Sequence, residues 1–92
     1  MIISFRHKGL ERLYRIGSTA GVRQSHVDRL LMILSILDAA SAPRDLALPG
    51  LRLHGLKGGL QGHWSVWVNG NWRITFRFAG SDVELLDYRD YH

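Results

Sequence analysis

The sequence predicts an α+β domain: an N-terminal strand and two helices packed on a mainly antiparallel, twisted sheet. Apolar residues recur at helical spacing only in the part of the chain before Ala40. From Arg52 onward they alternate with a period of two, in segments separated by turn residues. A chain of 92 residues has the size of one domain. Residues 1–92 are therefore expected to share one core, with the helices on one face of the later strands.

Residues 2–5 read as the first strand. Leu10, Leu13 and Tyr14 then follow helical spacing, Gly17 is a stop, and Arg12 and Arg15 lie off the apolar face. A second helix is expected to begin near Ser25, whose hydroxyl can accept from early backbone N–H groups. Asp28 suits the positive end of that helix. Val27, Leu30, Leu31, Leu34 and Leu37 keep the i, i+3, i+4, i+7 pattern, and the helix ends near Ala40. Met32, Ile33 and Ile36 widen its apolar surface, which calls for either a thick core or a covering partner protein. Residues 41–50 hold Pro43 and Pro49 and read as a connector without regular structure. A short strand at 52–56 joins a meander of strands at 64–68, 72–78 and 83–88. Asn69-Gly70 marks a two-residue hairpin and Gly80-Ser81 a second turn.

Composition narrows the function. Twelve Lys and Arg against eight Asp and Glu give a net charge of +4, and the pI is about 10.1. Such an excess on a small chain favours an anionic partner. Apolar content of 46% argues against disorder. The absence of cysteine excludes disulfides and thiolate zinc sites and agrees with a reducing cytoplasm. The N-terminus lacks the order of a signal peptide, and the apolar run at 30–37, interrupted by Ser35, is too short to span a bilayer. A cytoplasmic protein with no membrane association is expected.

Strand alternation puts Trp72, Ile74, Phe76 and Phe78 on the core side and Arg73, Thr75 and Arg77 on an open, basic face across which a nucleic-acid phosphate can lie. Three further stretches carry proton-transfer or cationic groups: His54 with Lys57, Arg73 itself, and the closing Asp90-Tyr91-His92. Together they contain the parts needed to cut RNA. A base takes the ribose 2′-hydroxyl proton, cations stabilise the charge on the attacked phosphate, and an acid protonates the leaving 5′-oxygen. Imidazole suits either proton transfer, and Arg or Lys suits the phosphate. Tyr91 can stack on a base or donate to the phosphate. The plainer alternatives are a solvated His54, a solvated Lys57 before Gly58-Gly59, and a loosely held C-terminus. A metal bound by His54, Asp90 and His92 is disfavoured, because no His-x-x-x-His or Cys pair accompanies them and Lys57 and Arg73 would repel the ion. No metal or cofactor is expected. His7, His26 and His63 read as structural or surface residues.

Several of these pieces, in this order, resemble the HigB branch of the RelE/ParE toxin superfamily. They are Arg52-Leu53-His54-Gly55-Leu56-Lys57-Gly58, Gly62-His63-Trp64-Ser65-Val66-Trp67-Val68-Asn69, Asn71-Trp72-Arg73-Ile74-Thr75-Phe76-Arg77-Phe78 and the terminal Asp90-Tyr91-His92. The opening Ile3-Ser4-Phe5-Arg6-His7-Lys8-Gly9-Leu10 and Leu37-Asp38-Ala39-Ala40 extend the likeness over nearly the whole chain. The resemblance implies a single RelE-like toxin domain that acts as a ribosome-dependent endoribonuclease on messenger RNA and halts translation. It also implies a cognate helix-turn-helix antitoxin, HigA-like, with operator DNA contacted only through that antitoxin. Carried over by position, His54, Asp90, Tyr91 and His92 match the catalytic set, and Lys57 and Arg73 match the phosphate-contacting residues. The ParE branch shares the architecture but poisons DNA gyrase, so a gyrase poison and a non-catalytic RNA-binding module remain the alternatives. The nuclease reading expects His54, Arg73 and the last three side chains to meet in one pocket.

Overall fold

The first helix, α1 (Lys8–Ile16), forms where Leu10 and Leu13 face inward and both ends are chemically closed. At its start the His7 Nδ1 accepts the Leu10 N–H at 3.0 Å. At its end Gly17 takes a left-handed conformation, φ 72°, and its N–H bonds to the Leu13 carbonyl at 3.1 Å. Gly9 is needed for packing. A Cβ there would lie 2.4 Å from the carbonyl oxygen of Gly21, so the two glycines let α1 cross the following loop backbone to backbone. The computed structural model describes residues 1–91; His92 lies outside the described residues.

The second helix, α2 (Val27–Ala39), buries Leu30, Ile33, Leu34 and Leu37. It starts two residues later than Ser25 suggests. A 3₁₀ turn, Gln24–His26, precedes it, and Ser25 makes no capping bond. The reason is that His26 is drawn into the core and tightens the entry turn. Pro43 likewise does not prevent regular structure but opens a second 3₁₀ turn, Pro43–Leu46, where its missing N–H costs nothing. Asp45 closes this turn by accepting from the N–H groups of Ser41 and Ala42.

Four antiparallel strands follow in the order β1 (His54–Gly55), β2 (His63–Asn69), β3 (Trp72–Ala79) and β4 (Asp82–Asp90). The strand expected at 52–56 shrinks to two residues because Arg52 adopts a positive φ of 50° and breaks the extended run. Asn69 pairs with Trp72, so Gly70 and Asn71 form the hairpin loop, one residue later than the Asn69-Gly70 signal implies. Residues 2–5 lie along the free edge of β4, joined through parallel bridges Ile2–Val83 and Phe5–Leu86 rather than a continuous ladder. The interruption coincides with Leu85, whose φ of 59° marks a bulge where β4 slips against β3.

The core lies between the helices and one face of this sheet. Leu10, Leu30, Ile33 and Leu37 meet Val66, Ile74, Phe76, Val83 and Leu86 there. Each such side chain contributes about 1.5–3 kcal/mol on burial. Trp72 and Phe78, on the same face, are only half-buried because they lie near the sheet's ends.

Asp38, near the end of α2, ties the N-terminal segment to the helices. Its Oδ1 accepts the Ile2 N–H and the Tyr14 hydroxyl, both at 2.9 Å. The Ile2 N–H and then the Tyr14 hydroxyl hold its pKa below the ordinary 3.8. A depressed carboxylate stabilises the fold above its unfolded pKa, and that contribution is lost as pH falls through the folded value. Asp38→Asn should therefore cost about 1 kcal/mol at neutral pH, kept small by the exposure of the carboxylate. It should also make acid unfolding less steep. Urea melts of both proteins from neutral to acid pH check this; parallel curves would remove Asp38 from the acid response.

Candidate active site

The sheet face turned away from the helices carries the candidate residues in two adjoining rows. His54, Ser65, Thr75 and Asp87 lie opposite one another across β1 to β4. Two residues along, Trp67, Arg73 and Arg89 form the second row, with Arg73 in the middle. Tyr91 continues the alternation of Asp87 and Arg89, and its N–H bonds to the Asn71 carbonyl at 2.8 Å. The residue just past β4 is thus fixed to the β2–β3 hairpin. Lys57 is exposed at the head of a 3₁₀ turn, Gly58–Leu60, in the loop from β1 to β2. A Leu56 N–H to His63 carbonyl bond of 2.9 Å closes that loop.

His54, Arg73 and Tyr91 therefore share a face. Asp90 does not share it: alternation sends its side chain to the helix side with Tyr88, whose phenol it influences electrostatically. The position of His92 falls outside the described residues.

The basic face is narrower than alternation alone suggests. Thr75 and Ser65 are buried at its floor, at 2% and 1% exposure. Arg77 is taken up by Glu84 in an ion pair through its Nε and Nη2. The available charge is concentrated toward the other end. Arg89 donates to Asp87 at 3.0 Å, and its pKa is pushed up by the Tyr91 hydroxyl first and by Asp87 as well. Arg73, directly opposite Arg89, has no side-chain hydrogen bond or ion pair among the described residues. Like charges opposite one another across a ladder are unfavourable. An anion between them would relieve the repulsion, and a guanidinium offers the donor fork that a phosphate fits. Among the described residues no group of three His, Cys, Asp or Glu is placed to hold a metal ion.

On the other side of β4, Tyr88 is packed at a joint that sequence reasoning did not see. Its hydroxyl lies 2.5 Å from the His26 Nδ1, and its ring packs on Trp72 at 4.5 Å and edge-on to His7 at 5.3 Å. Burial, and then the Arg23 charge, push the His26 pKa down. A neutral imidazole then accepts at Nδ1 from the tyrosine hydroxyl. The joint anchors the end of β4 two residues before Asp90. The periodicity of α2 could not reveal it, because His26 precedes the helix.

Two helices on one face of an antiparallel sheet, with arginines on the other, make a RelE-like architecture. The same fold occurs in the YoeB–YefM complex from Staphylococcus aureus, with a TM-score of 0.64 at 15% identity, covering 100% of this chain and 95% of that one. The model for the RelE-like toxin of type II toxin–antitoxin system HigB matches residues 3–92. This chain belongs to that family of HigB-like toxins. It is 46% identical over 92 residues to Endoribonuclease HigB of Proteus vulgaris, covering both chains fully. It is 36% identical over 94 residues to Toxin HigB-1 of Vibrio cholerae, covering 100% of this chain and 98% of the relative.

The Tyr88–His26 bond yields a stability prediction. Tyr88→Phe leaves a buried ring nitrogen without its donor and should cost about 1–3 kcal/mol. Since the folded pKa of His26 lies below 6.5, its effect on stability is absent above that value. As pH falls below it, the unfolded chain takes the proton first and the fold weakens. Thermal melting against pH should accordingly be flatter for His26→Asn than for the wild type on the acid side of 6.5. An equally steep decline in the variant would assign the acid response elsewhere.

Proposed function

We propose that this toxin is an endoribonuclease that cuts messenger RNA on the ribosome and so inhibits translation. The observation that carries the reading is the shared sheet face of His54, Arg73 and Tyr91, with Arg73 beside Arg89 and, among the described residues, without an acid to neutralise it. The end-to-end 46% identity to a protein named as an endoribonuclease supports it.

In this reading Arg73 and Lys57 hold the scissile phosphate and stabilise the charge it gains. His54, Asp90 and His92 carry or orient the proton transfers. One removes the 2′-hydroxyl proton, the freed oxygen attacks the adjacent phosphorus, and another gives a proton to the departing 5′-oxygen. The products are a 2′,3′-cyclic phosphate and a 5′-hydroxyl, so atoms and charge balance without a further reactant. Tyr91 positions the nucleotide, by stacking or by a hydrogen bond to the phosphate. Asp90 acts from the end of β4 rather than across its face, since it shares the side of Tyr88. The ribosome would supply the orientation of the substrate strand that so small a site cannot impose alone. A cognate helix-turn-helix antitoxin, encoded beside the toxin, would neutralise it and carry the complex to operator DNA.

His54→Ala, Arg73→Ala and His92→Ala should each relieve growth arrest while the fold persists. The rate of messenger cleavage should drop by about 10²–10⁴-fold for a lost acid or base. Mapping 5′ ends of transcripts after brief induction checks this. Cuts within translated regions, absent in the variants, are the expected outcome. Intact transcripts accompanied by broken DNA would replace the nuclease with a gyrase poison.

A further inference from the structure

Beyond the six residues above, the geometry points to Arg52, mounted on Trp67, as a second phosphate-binding position for RNA, next to Arg73. This rests on the RNA-cleaving reading of the same face.

Trp67 is held firmly. Its N–H bonds to the Leu51 carbonyl at 2.7 Å, its indole Nε1 to the Gly70 carbonyl at 2.9 Å, and its own carbonyl accepts from Arg29 at 2.9 Å. Leu51, only 2% exposed, anchors the chain immediately before Arg52. Arg52 then turns into the left-handed region, φ 50°, which an L side chain adopts at a cost. The result of that turn is a guanidinium lying 4.0 Å above the centre of the Trp67 ring.

A tryptophan under the plane of a guanidinium fixes its orientation and leaves the N–H groups at its edges free. Arg52 is exposed, and among the described residues those N–H groups meet no acceptor. Trp67 is the direct cross-strand neighbour of Arg73. A strained backbone, a clamped platform and an unpaired donor fork together prepare a cation for an oxyanion that the chain itself does not supply. On a face that presents Arg73 beside it, the oxyanion is a phosphodiester of the RNA strand, adjacent to the one Arg73 would hold. The phosphate comes either from the message or from ribosomal RNA, with the same chemistry.

The test measures binding of full-length toxin to a labelled, uncleavable 2′-O-methyl RNA, alone and seated in a programmed ribosome. Arg52→Gly should weaken binding about 10-fold and lower the salt dependence, log K against log salt, by about 0.7. Its melting temperature should hold or rise, because glycine accepts the positive φ without strain. A purely structural stack predicts the reverse, a lower melting temperature and unchanged binding. Arg52→Lys should recover the salt slope but not the full affinity, and Trp67→Leu should weaken binding with Arg52 still present. An effect on free RNA identifies the message phosphate; an effect confined to the ribosome identifies ribosomal RNA. Unchanged affinity and slope in both settings, with Arg73→Ala still impaired, overturns the role of Arg52 alone. Wild-type protein that binds neither substrate overturns the RNA reading itself.

Discussion

The register of β3 against β4 is the constraint on which the rest of the molecule depends. Side chains alternate with a period of two, so a slip of one residue would send every group to the wrong face. In the observed register Ile74 meets Tyr88 on the helix side and Arg73 meets Arg89 on the other. The bulge at Leu85 absorbs the mismatch between the two halves of β4. Beyond it, Val83 and Glu84 pair with Phe78 and Arg77, and apolar again faces apolar while acid faces base. The opposite edge of β4 is bonded to residues 1–6, so the strand is held from both sides.

That arrangement sets two arginines side by side at a cost in repulsion. Arg89 recovers part of it through Asp87 and Tyr91. Arg73 has no such partner among the described residues, and Arg52 points its charge at the neighbouring Trp67 instead of at an acid. By contrast, Arg77 at the far end of the sheet is matched by Glu84, and Arg15 on α1 by Glu11. Among the described residues Arg73 and Arg52 thus meet no acid on the open face, and both add to the net charge of +4.

Much of the fold could be read from the sequence because the burial pattern and the local pattern agree. Leu10 and Leu13, the stripe from Leu30 to Leu37, and the alternation around Ile74 and Phe76 all face the core as their spacing demands. The Gly17 stop is likewise a local property. What was hidden depends on contacts distant in sequence. His26 is recruited by Tyr88 across 62 residues, which moves the helix start away from Ser25. The brevity of β1 follows from Arg52 reaching for Trp67, an interaction no local propensity encodes. On the candidate site, the shared face of His54, Arg73 and Tyr91 and the opposite side taken by Asp90 all follow from alternation once the register is known. Trp67 alternates with Val66 and Val68 in the sequence, which leaves its role open until the sheet is assembled. Its pairing with Arg73 is what marks it as part of the charged face.

The two faces of β4 divide the protein's tasks. Leu86 and Tyr88 belong to the packing that makes the domain stable, and a change there is felt throughout a close-packed interior. Asp87, Arg89 and Tyr91 border solvent and touch little of that core, so their chemistry can change with modest cost to folding. The likeness at 15% identity is a likeness of fold alone, and a fold by itself does not fix an activity. The activity of this chain therefore has to be argued from its side chains rather than from its fold. Here the open face carries the His54 imidazole, the Tyr91 phenol and the Arg73 guanidinium, and the RNA cleavage proposed above would draw on those groups.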